Sequence, residues 1–144
     1  MDVHTAMSRL KDKGYKYTDK RQEILEYLDK QNGYVPAKQV LAFMQKQYDG
    51  LSYDTVYRNL SLFAEIGILE ASEWEGEKRF RLSCAGSHHH HMICLACGTT
   101  KHIPACPMEE LNLGEDDFKV TSHKFEIFGY CPPCHQEQEE TALS

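Results

Sequence analysis

The sequence predicts an α+β chain in two parts: a helical region closed by a β-hairpin, then a smaller strand-rich region held together by metal. Three observations predict it. Apolar residues recur at helical spacing as far as Gly67, the period then shortens to two over residues 68–83, and four cysteines stand as two C-x-x-C pairs in the second half.

The helical region reads as four segments. Val3, Met7 and Leu10 share one face of the first, which Gly14 ends. Thr18 caps the second, whose Ile24, Leu25 and Leu28 point inward. Pro36 suits the first turn of the third, with Val40, Leu41 and Met44 on its apolar side, and Asp49-Gly50 breaks it. Ser52 caps the fourth, SYDTVYRNLSLFAEI, in which Val56, Leu60 and Phe63 line up and after which Gly67 stops the helix. ILEASEW and KRFRLS then flank the short turn Glu75-Gly76-Glu77. Helices followed by a hairpin is the order of a winged helix-turn-helix; a plain helical domain carrying a hairpin fits the same pattern.

The second region is punctuated by turns. HHHHMIC, TTKHI and FKVTSHKFEIFGY look like strands and PMEEL like a short helix starting at Pro107, while the polar tail HQEQEETALS is expected to fray. Cys84-Ala85-Gly86-Ser87 is a joint of small residues, so the expected parts are residues 1–83, a joint at 84–87, and residues 88–144. A lobe of about 60 residues has trouble burying enough surface to hold itself together, and a metal staple answers that.

Composition narrows the function classes. The 144 residues are 41 % hydrophobic and 26 % charged, so a packed core is expected rather than disorder. No apolar run reaches the roughly 18 residues of a membrane span. Charges interrupt MDVHTAMSRLKDKG where a signal peptide needs an apolar stretch, so a cytoplasmic location is expected. Residues 1–82 carry thirteen Lys/Arg against thirteen Asp/Glu, and residues 83–144 carry three against nine, which accounts for the net charge of −6. No basic surface advertises nucleic-acid binding; any DNA contact rests on a few placed residues.

Two C-x-x-C turns each present two sulfurs at one point, and structural Zn²⁺ takes four such ligands as a tetrahedron. Cys94-Leu-Ala-Cys97-Gly is one knuckle and Cys131-Pro-Pro-Cys134 the other, with 33 residues between them for intervening structure. The alternative, a redox dithiol, places one C-x-x-C in a βαβ setting that this sequence lacks. Cys106 is left over and reads as buried and inert. His88 to His91 form an internal run leading directly into Met92-Ile93-Cys94, which makes it native rather than a purification tag. On a strand His88 and His90 face one way and His89 and His91 the other, so two His-x-His pairs back to back could serve two metals.

The passages LSYDTVYRNLSLFAEIGILE, HHHHMICLACG and SHKFEIFGYCPPC, in this order and spacing, resemble the recognition helix, sensor strand and C-terminal strand of the ferric uptake regulator (Fur) superfamily. The likeness runs from about residue 5 to residue 134. It implies an N-terminal winged helix-turn-helix domain, a small α/β dimerisation and metal-binding domain, a homodimer and three metal positions. The four cysteines fit the structural position. A regulatory site would take Glu70, Cys84, His89 and His91, and an additional site His88, His90, Glu109 and His123. His102 stands where relatives often place a carboxylate ligand; it either ligates or faces solvent.

Iron and peroxide sensors of the superfamily carry a carboxylate where Cys84 stands and a histidine where Tyr34 stands. One thiolate, two imidazoles and one carboxylate form a borderline-soft set that suits Zn²⁺ better than Fe²⁺ or Mn²⁺. The resemblance is therefore closest to the zinc uptake regulator branch: a zinc-loaded repressor acting on palindromic operators of zinc-uptake genes. An iron, manganese or peroxide sensor of the same superfamily is the alternative.

In a helix-turn-helix the second helix enters the major groove by its N-terminal residues. That places Ser52, Thr55, Tyr57 and Arg58 at double-stranded DNA, with Lys16, Lys20 and Arg21 able to hold phosphates. A zinc hydrolase is not expected, because catalytic zinc keeps an open position beside a base whereas each implied site has four protein ligands. No nucleophile–base set or phosphate-binding glycine loop is present in the sequence, so neither an enzyme nor a small-molecule substrate is expected. A zinc-bound adaptor that never touches DNA is a third reading.

Overall fold

Helices and a three-stranded sheet share the first unit, Met1–Gly86. Its elements are α1 (Val3–Asp12), α2 (Asp19–Asp29), β1 (Val35–Pro36), α3 (Ala37–Met44), α4 (Tyr53–Glu65), β2 (Leu69–Trp74) and β3 (Glu77–Leu82). The computed structural model describes residues 1–84, 89–111 and 118–143; residues 85–87 of the expected joint lie outside them.

Short polar side chains set where three of these helices begin. Asp2 accepts the Thr5 N–H at 2.7 Å, Thr18 the Arg21 N–H at 3.1 Å and Ser52 the Thr55 N–H at 3.1 Å. Each satisfies an amide that a helix start leaves open. Gly14 and Gly67 end α1 and α4 with φ of 89° and 82°, in the left-handed region that glycine enters without strain. Between β2 and β3, Glu75 and Gly76 have φ of 54° and 72°, the paired positive values of a tight hairpin turn, and Trp74 faces Glu77 across it.

The core of the unit is built by Leu10, Ile24, Leu25, Val40, Met44, Val56, Leu60, Phe63, Ile68 and Phe80, all essentially inaccessible. Two details differ from the sequence reading. On α1 the fully buried positions are Ala6 and Leu10, with Val3 and Met7 only partly covered, because the small Ala6 allows the closest approach. Pro36 precedes α3 instead of starting it. It sits in extended backbone within β1, which pairs with β3 through Val35–Phe80 and Pro36–Arg79, giving the sheet order β1-β3-β2. A two-residue edge strand beside a proline carries no periodicity, so nothing in the sequence announces it.

The second unit, Ser87–Ser144, holds β4 (His90–Cys94), β5 (Thr100–Ile103), a 3₁₀ turn (Pro107–Glu109), β6 (Glu126–Gly129) and α5 (Pro132–Leu143). β4 is central, antiparallel to β5 and parallel to β6. Of the single long strand expected over FKVTSHKFEIFGY, only β6 forms a strand, and residues 118–125 are irregular. The tail is also corrected: residues 135–143 continue the helix that starts at Pro132, a residue suited to a first helical turn. Among the described residues no helix is long and apolar enough to cross a membrane.

Phe80 is wholly buried at the centre of the first sheet. Phe80→Ala is expected to cost about 3–5 kcal/mol through the cavity it leaves, and Thr18→Ala about 1 kcal/mol through the lost cap. Trp74 is the only tryptophan and lies in β2, so urea unfolding followed by its fluorescence reads the first unit selectively.

Candidate metal centres

Four sulfurs converge where β4 ends and α5 begins. Cys94 is the last residue of β4, and the chain reverses immediately: the Gly98 N–H donates to the Cys94 carbonyl at 2.9 Å and the Cys94 N–H to Thr99 at 2.9 Å. This turn carries Cys97 back beside Cys94, with Gly98 at φ 80°. From the other side the Leu95 N–H donates to Gly129 at 2.8 Å, bringing in the end of β6, and Cys131 and Cys134 follow at the start of α5. The four Sγ atoms all lie within 4.8 Å of one another, and Cys97 and Cys131 are 3.8 Å apart. Thiolates about 2.3 Å from zinc stand roughly 3.8 Å from each other along a tetrahedron edge, so this donor set fits the ion.

The electrostatics agree with that fit. Burial opposes ionisation of Cys94, but the backbone N–H groups of Cys131, Cys97 and Ala96 and the Cys97 thiol outweigh it and bring Cys94 down to about 6. Cys134 is shifted upward, first by its hydrogen bond with Cys131, then by burial and the neighbouring Cys94 and Cys97 sulfurs. Cys94 thus gives up its proton readily, while Cys134 resists losing its own. A divalent cation removes that resistance.

β4 divides the histidines. His90 and His91 are both buried, on opposite sides of the strand. His91 lies with His89 and with His102, its cross-strand partner on β5; ring centroids are 5.0 Å for His89–His91 and 3.9 Å for His89–His102. His90 lies with His123, their Nε2 atoms 3.2 Å apart, and with Cys106, whose Sγ is 3.5 Å from His123 Nε2. Sequence reasoning left Cys106 out. It belongs to no spacing motif, and only the fold brings the loop before the 3₁₀ turn onto His90. Cys106 is half-buried, not buried and inert as expected. His88 and the side chain of Glu109, both expected at the additional site, lie outside the described residues.

Glu70 and Cys84 belong to the first unit. Glu70 faces Arg81 across the β2–β3 ladder, and Arg81 Nη2 donates to Cys84 Sγ at 3.2 Å. Burial pushes the Cys84 thiol up, Arg81 opposes this, and Glu70 reinforces it. Tyr34 is buried edge-on to Trp74, with the Arg81 guanidinium over its ring.

The expected DNA residues cluster on the first turns of α4. Ser52, Thr55 and Arg58 are exposed, and Arg58 pairs with Asp54 one turn earlier at 2.6 Å, in full contact with water. Tyr57 is half-buried, stacked on Tyr53 and edge-on to Phe80, so its ring is fixed. Lys16 is exposed and Lys20 lies 5.3 Å from the Tyr48 ring. Arg21 is engaged within the unit: its Nε donates to Asn59 of α4 at 3.1 Å and its Nη1 to the Lys16 carbonyl at 2.8 Å. That ties α2 to α4.

Known proteins resemble this chain over most of its length. Residues 12–128 match the model of the ferric uptake regulator family. A ferric uptake regulation protein of Staphylococcus epidermidis is 44 % identical over 136 residues, covering 94 % of this chain and 99 % of that protein. One from Staphylococcus aureus is 42 % identical over 134 residues, covering 93 % and 98 %. In three dimensions, a zinc uptake regulator complexed with zinc and DNA aligns with a TM-score of 0.72 at 21 % identity, covering 95 % of each chain. The Helicobacter pylori ferric uptake regulator, described as having three functional metal-binding sites, aligns at 0.71 and 21 %, covering 94 % and 95 %; at such identities the likeness is one of fold. With the family model spanning most of the chain and relatives above 40 % identity along almost all of it, the chain belongs to the ferric uptake regulator family, metal-responsive transcription regulators and not enzymes.

Proposed function

We propose that the chain is a cytoplasmic zinc-responsive repressor that binds palindromic operators of zinc-uptake genes as a homodimer when zinc-loaded. The observation that carries this is the chemistry of the first unit's donors. A thiol, Cys84, stands at the end of the hairpin with Glu70 nearby in the same sheet, and Tyr34 is locked in aromatic packing where the iron and peroxide sensors have histidine. With His89 and His91 from the second unit these donors make a one-thiolate set that favours zinc.

The switch follows from where the ligands come from. Glu70 and Cys84 belong to one unit and His89 and His91 to the other, so an ion taking all four fixes one arrangement of the two units. In a homodimer that arrangement sets the separation of two α4 helices, hence the fit to a two-fold symmetric operator. Moving such an equilibrium from 1:99 to 99:1 takes about 5.5 kcal/mol, and structural zinc sites supply roughly 10–16 kcal/mol. Self-association is supported by the second unit's surface. Among its described residues Ile93 and Cys94 are the only apolar side chains fully buried, while Met92, Ile127, Phe128 and Tyr130 stay about 40 % exposed around one cleft. A second copy would cover them.

A second reading, an iron-responsive regulator, is favoured by the names of the staphylococcal relatives. The deciding experiment is a mobility-shift titration of zinc-uptake promoters under buffered Zn²⁺, anaerobic Fe²⁺ and Mn²⁺. Operator binding driven by zinc at the lowest free concentration supports the zinc reading, and binding driven by Fe²⁺ alone replaces it.

Three variants separate the parts. Cys131→Ser is expected to unfold or monomerise the protein, read by circular dichroism and sedimentation; a folded, dimeric, zinc-responsive variant would remove the structural role of the four-sulfur cluster. Arg58→Ala should weaken operator affinity by about 1–3 kcal/mol and relax base preference. Its zinc content should not change, since its exposed pair with Asp54 contributes about 1 kcal/mol at most to the fold.

Cys84→Ser is expected to keep the fold, the dimer and the four-cysteine zinc, yet lose zinc-dependent operator binding. Because burial holds the Cys84 thiol up, zinc must displace a proton from it at neutral pH. In the unmutated protein the free zinc needed for operator binding therefore rises as pH falls. A wild-type zinc response in Cys84→Ser, measured as operator affinity against buffered free zinc, would take this residue out of the sensor.

A further inference from the structure

We propose that Cys106 is a metal ligand, and that with His90 and His123 it forms a thiolate-bearing zinc site inside the second unit, apart from the four-cysteine cluster. The inference rests on the reading of the chain as a zinc-binding regulator. It changes the donor set expected for the additional site from histidines and a carboxylate to one that includes sulfur.

The geometry is that of a coordination sphere. His90 on β4, Cys106 in the loop before the 3₁₀ turn and His123 before β6 come from three separated segments, and their ligand atoms all lie within 4.8 Å of one another. Imidazole nitrogens about 2.0–2.1 Å from zinc stand roughly 3.4 Å apart in a tetrahedron, and an imidazole nitrogen and a thiolate roughly 3.6 Å apart. The observed separations are 3.2 Å for His90 Nε2 to His123 Nε2 and 3.5 Å for Cys106 Sγ to His123 Nε2. Two of the three separations are thus those of a tetrahedron's edges, and the third pair, His90 and Cys106, lies within 4.8 Å.

The setting favours metal over a simple hydrogen-bonded trio. His90 is buried against the ring of Phe125 at 5.4 Å, so its imidazole is fixed in direction. Cys106 and His123 belong to segments with little ladder pairing of their own, and among the unit's described residues only Ile93 and Cys94 are fully buried apolar side chains. A cation joining the three would anchor both segments to β4. A thiolate among the ligands selects borderline-soft ions, Zn²⁺ and Co²⁺, over Mn²⁺ and Fe²⁺.

The test uses the full-length Cys84→Ser protein with its four-cysteine zinc in place, so that Cys106 is the only thiol left outside that cluster. Co²⁺ is titrated in while zinc content is monitored to stay at one per chain. A sulfur-to-cobalt charge-transfer band saturating at one equivalent is expected. Adding Cys106→Ser should abolish the band and weaken cobalt and zinc binding at least ten-fold, and adding His123→Ala should weaken both similarly. A band that survives Cys106→Ser, cobalt binding without the band, or no second equivalent overturns the proposal.

Iodoacetamide mapping of the Cys84→Ser protein needs no change at Cys106. A second equivalent of zinc should slow alkylation of Cys106 at least ten-fold, and an unchanged rate also overturns the site. The two readings fail separately. Loss of zinc-dependent operator binding by the unmutated protein, with the Cys106 band intact, would remove the repressor reading alone.

Discussion

Four sulfurs do in the second unit what apolar packing does in the first. The first unit buries a continuous set of aliphatic and aromatic side chains from four helices and a sheet, whereas among the described residues of the second only Ile93 and Cys94 are fully buried apolar side chains. A three-stranded sheet with one short helix cannot offset its chain entropy by area alone. The cysteine cluster is placed to compensate: it sits where the β4–β5 turn, the end of β6 and the start of α5 meet, so one ion bound there would clamp three junctions. The ionisation behaviour of Cys94 and Cys134 is a consequence. Four thiols placed this closely cannot all be charged without a cation among them.

Once β4 is held, its period of two distributes the remaining chemistry. His91 is turned toward His89 and His102, and His90 toward His123 and Cys106. Neighbours in sequence thus serve two different donor groups, which a helix could not achieve with consecutive residues. The register with β5 brings His102 opposite His91. His102 is exposed and within ring contact of His89 and His91, a position from which it can join a metal or stack on its ligands.

Much of this was legible in the sequence because it depended on local rules. The caps at Thr18 and Ser52, the stop at Gly67, the hairpin turn at Glu75-Gly76 and the apolar spacing of Val56, Leu60 and Phe63 are short-range signals, and each produces the element it announces. The two C-x-x-C pairs were legible for the same reason, since each knuckle is made by four adjacent residues. What stayed hidden depended on distant pairing. β1 exists only because Phe80 and Arg79 lie opposite Val35 and Pro36. The hydrogen bond from Arg21 to Asn59 of α4 could not be read from residues 38 positions apart, and Cys106 looked idle until the fold carried it to His123. The tail misled for another reason: its polarity suggested fraying, although Glu, Gln and Ala are good helix formers and Pro132 is well suited to start a helix.

The charge distribution bears on how a regulator of this kind would be controlled. The first unit is electrically balanced and the second strongly acidic, so long-range attraction to a polyanion is weak. Proteins that hold DNA mainly through phosphate contacts bind everywhere on it and lose affinity steeply with salt. With Arg21 partly committed to Asn59 and Lys16, α4 has Arg58 as its exposed cation near its N-terminal end, and that side chain already has Asp54 as a partner. Little affinity is then available to a single unit acting alone. Operator binding would require two α4 helices engaged together at the correct spacing, which is the quantity a metal linking the units would set. A weakly charged reading head therefore sharpens metal control: without the ion there is little nonspecific binding left to blur the off state.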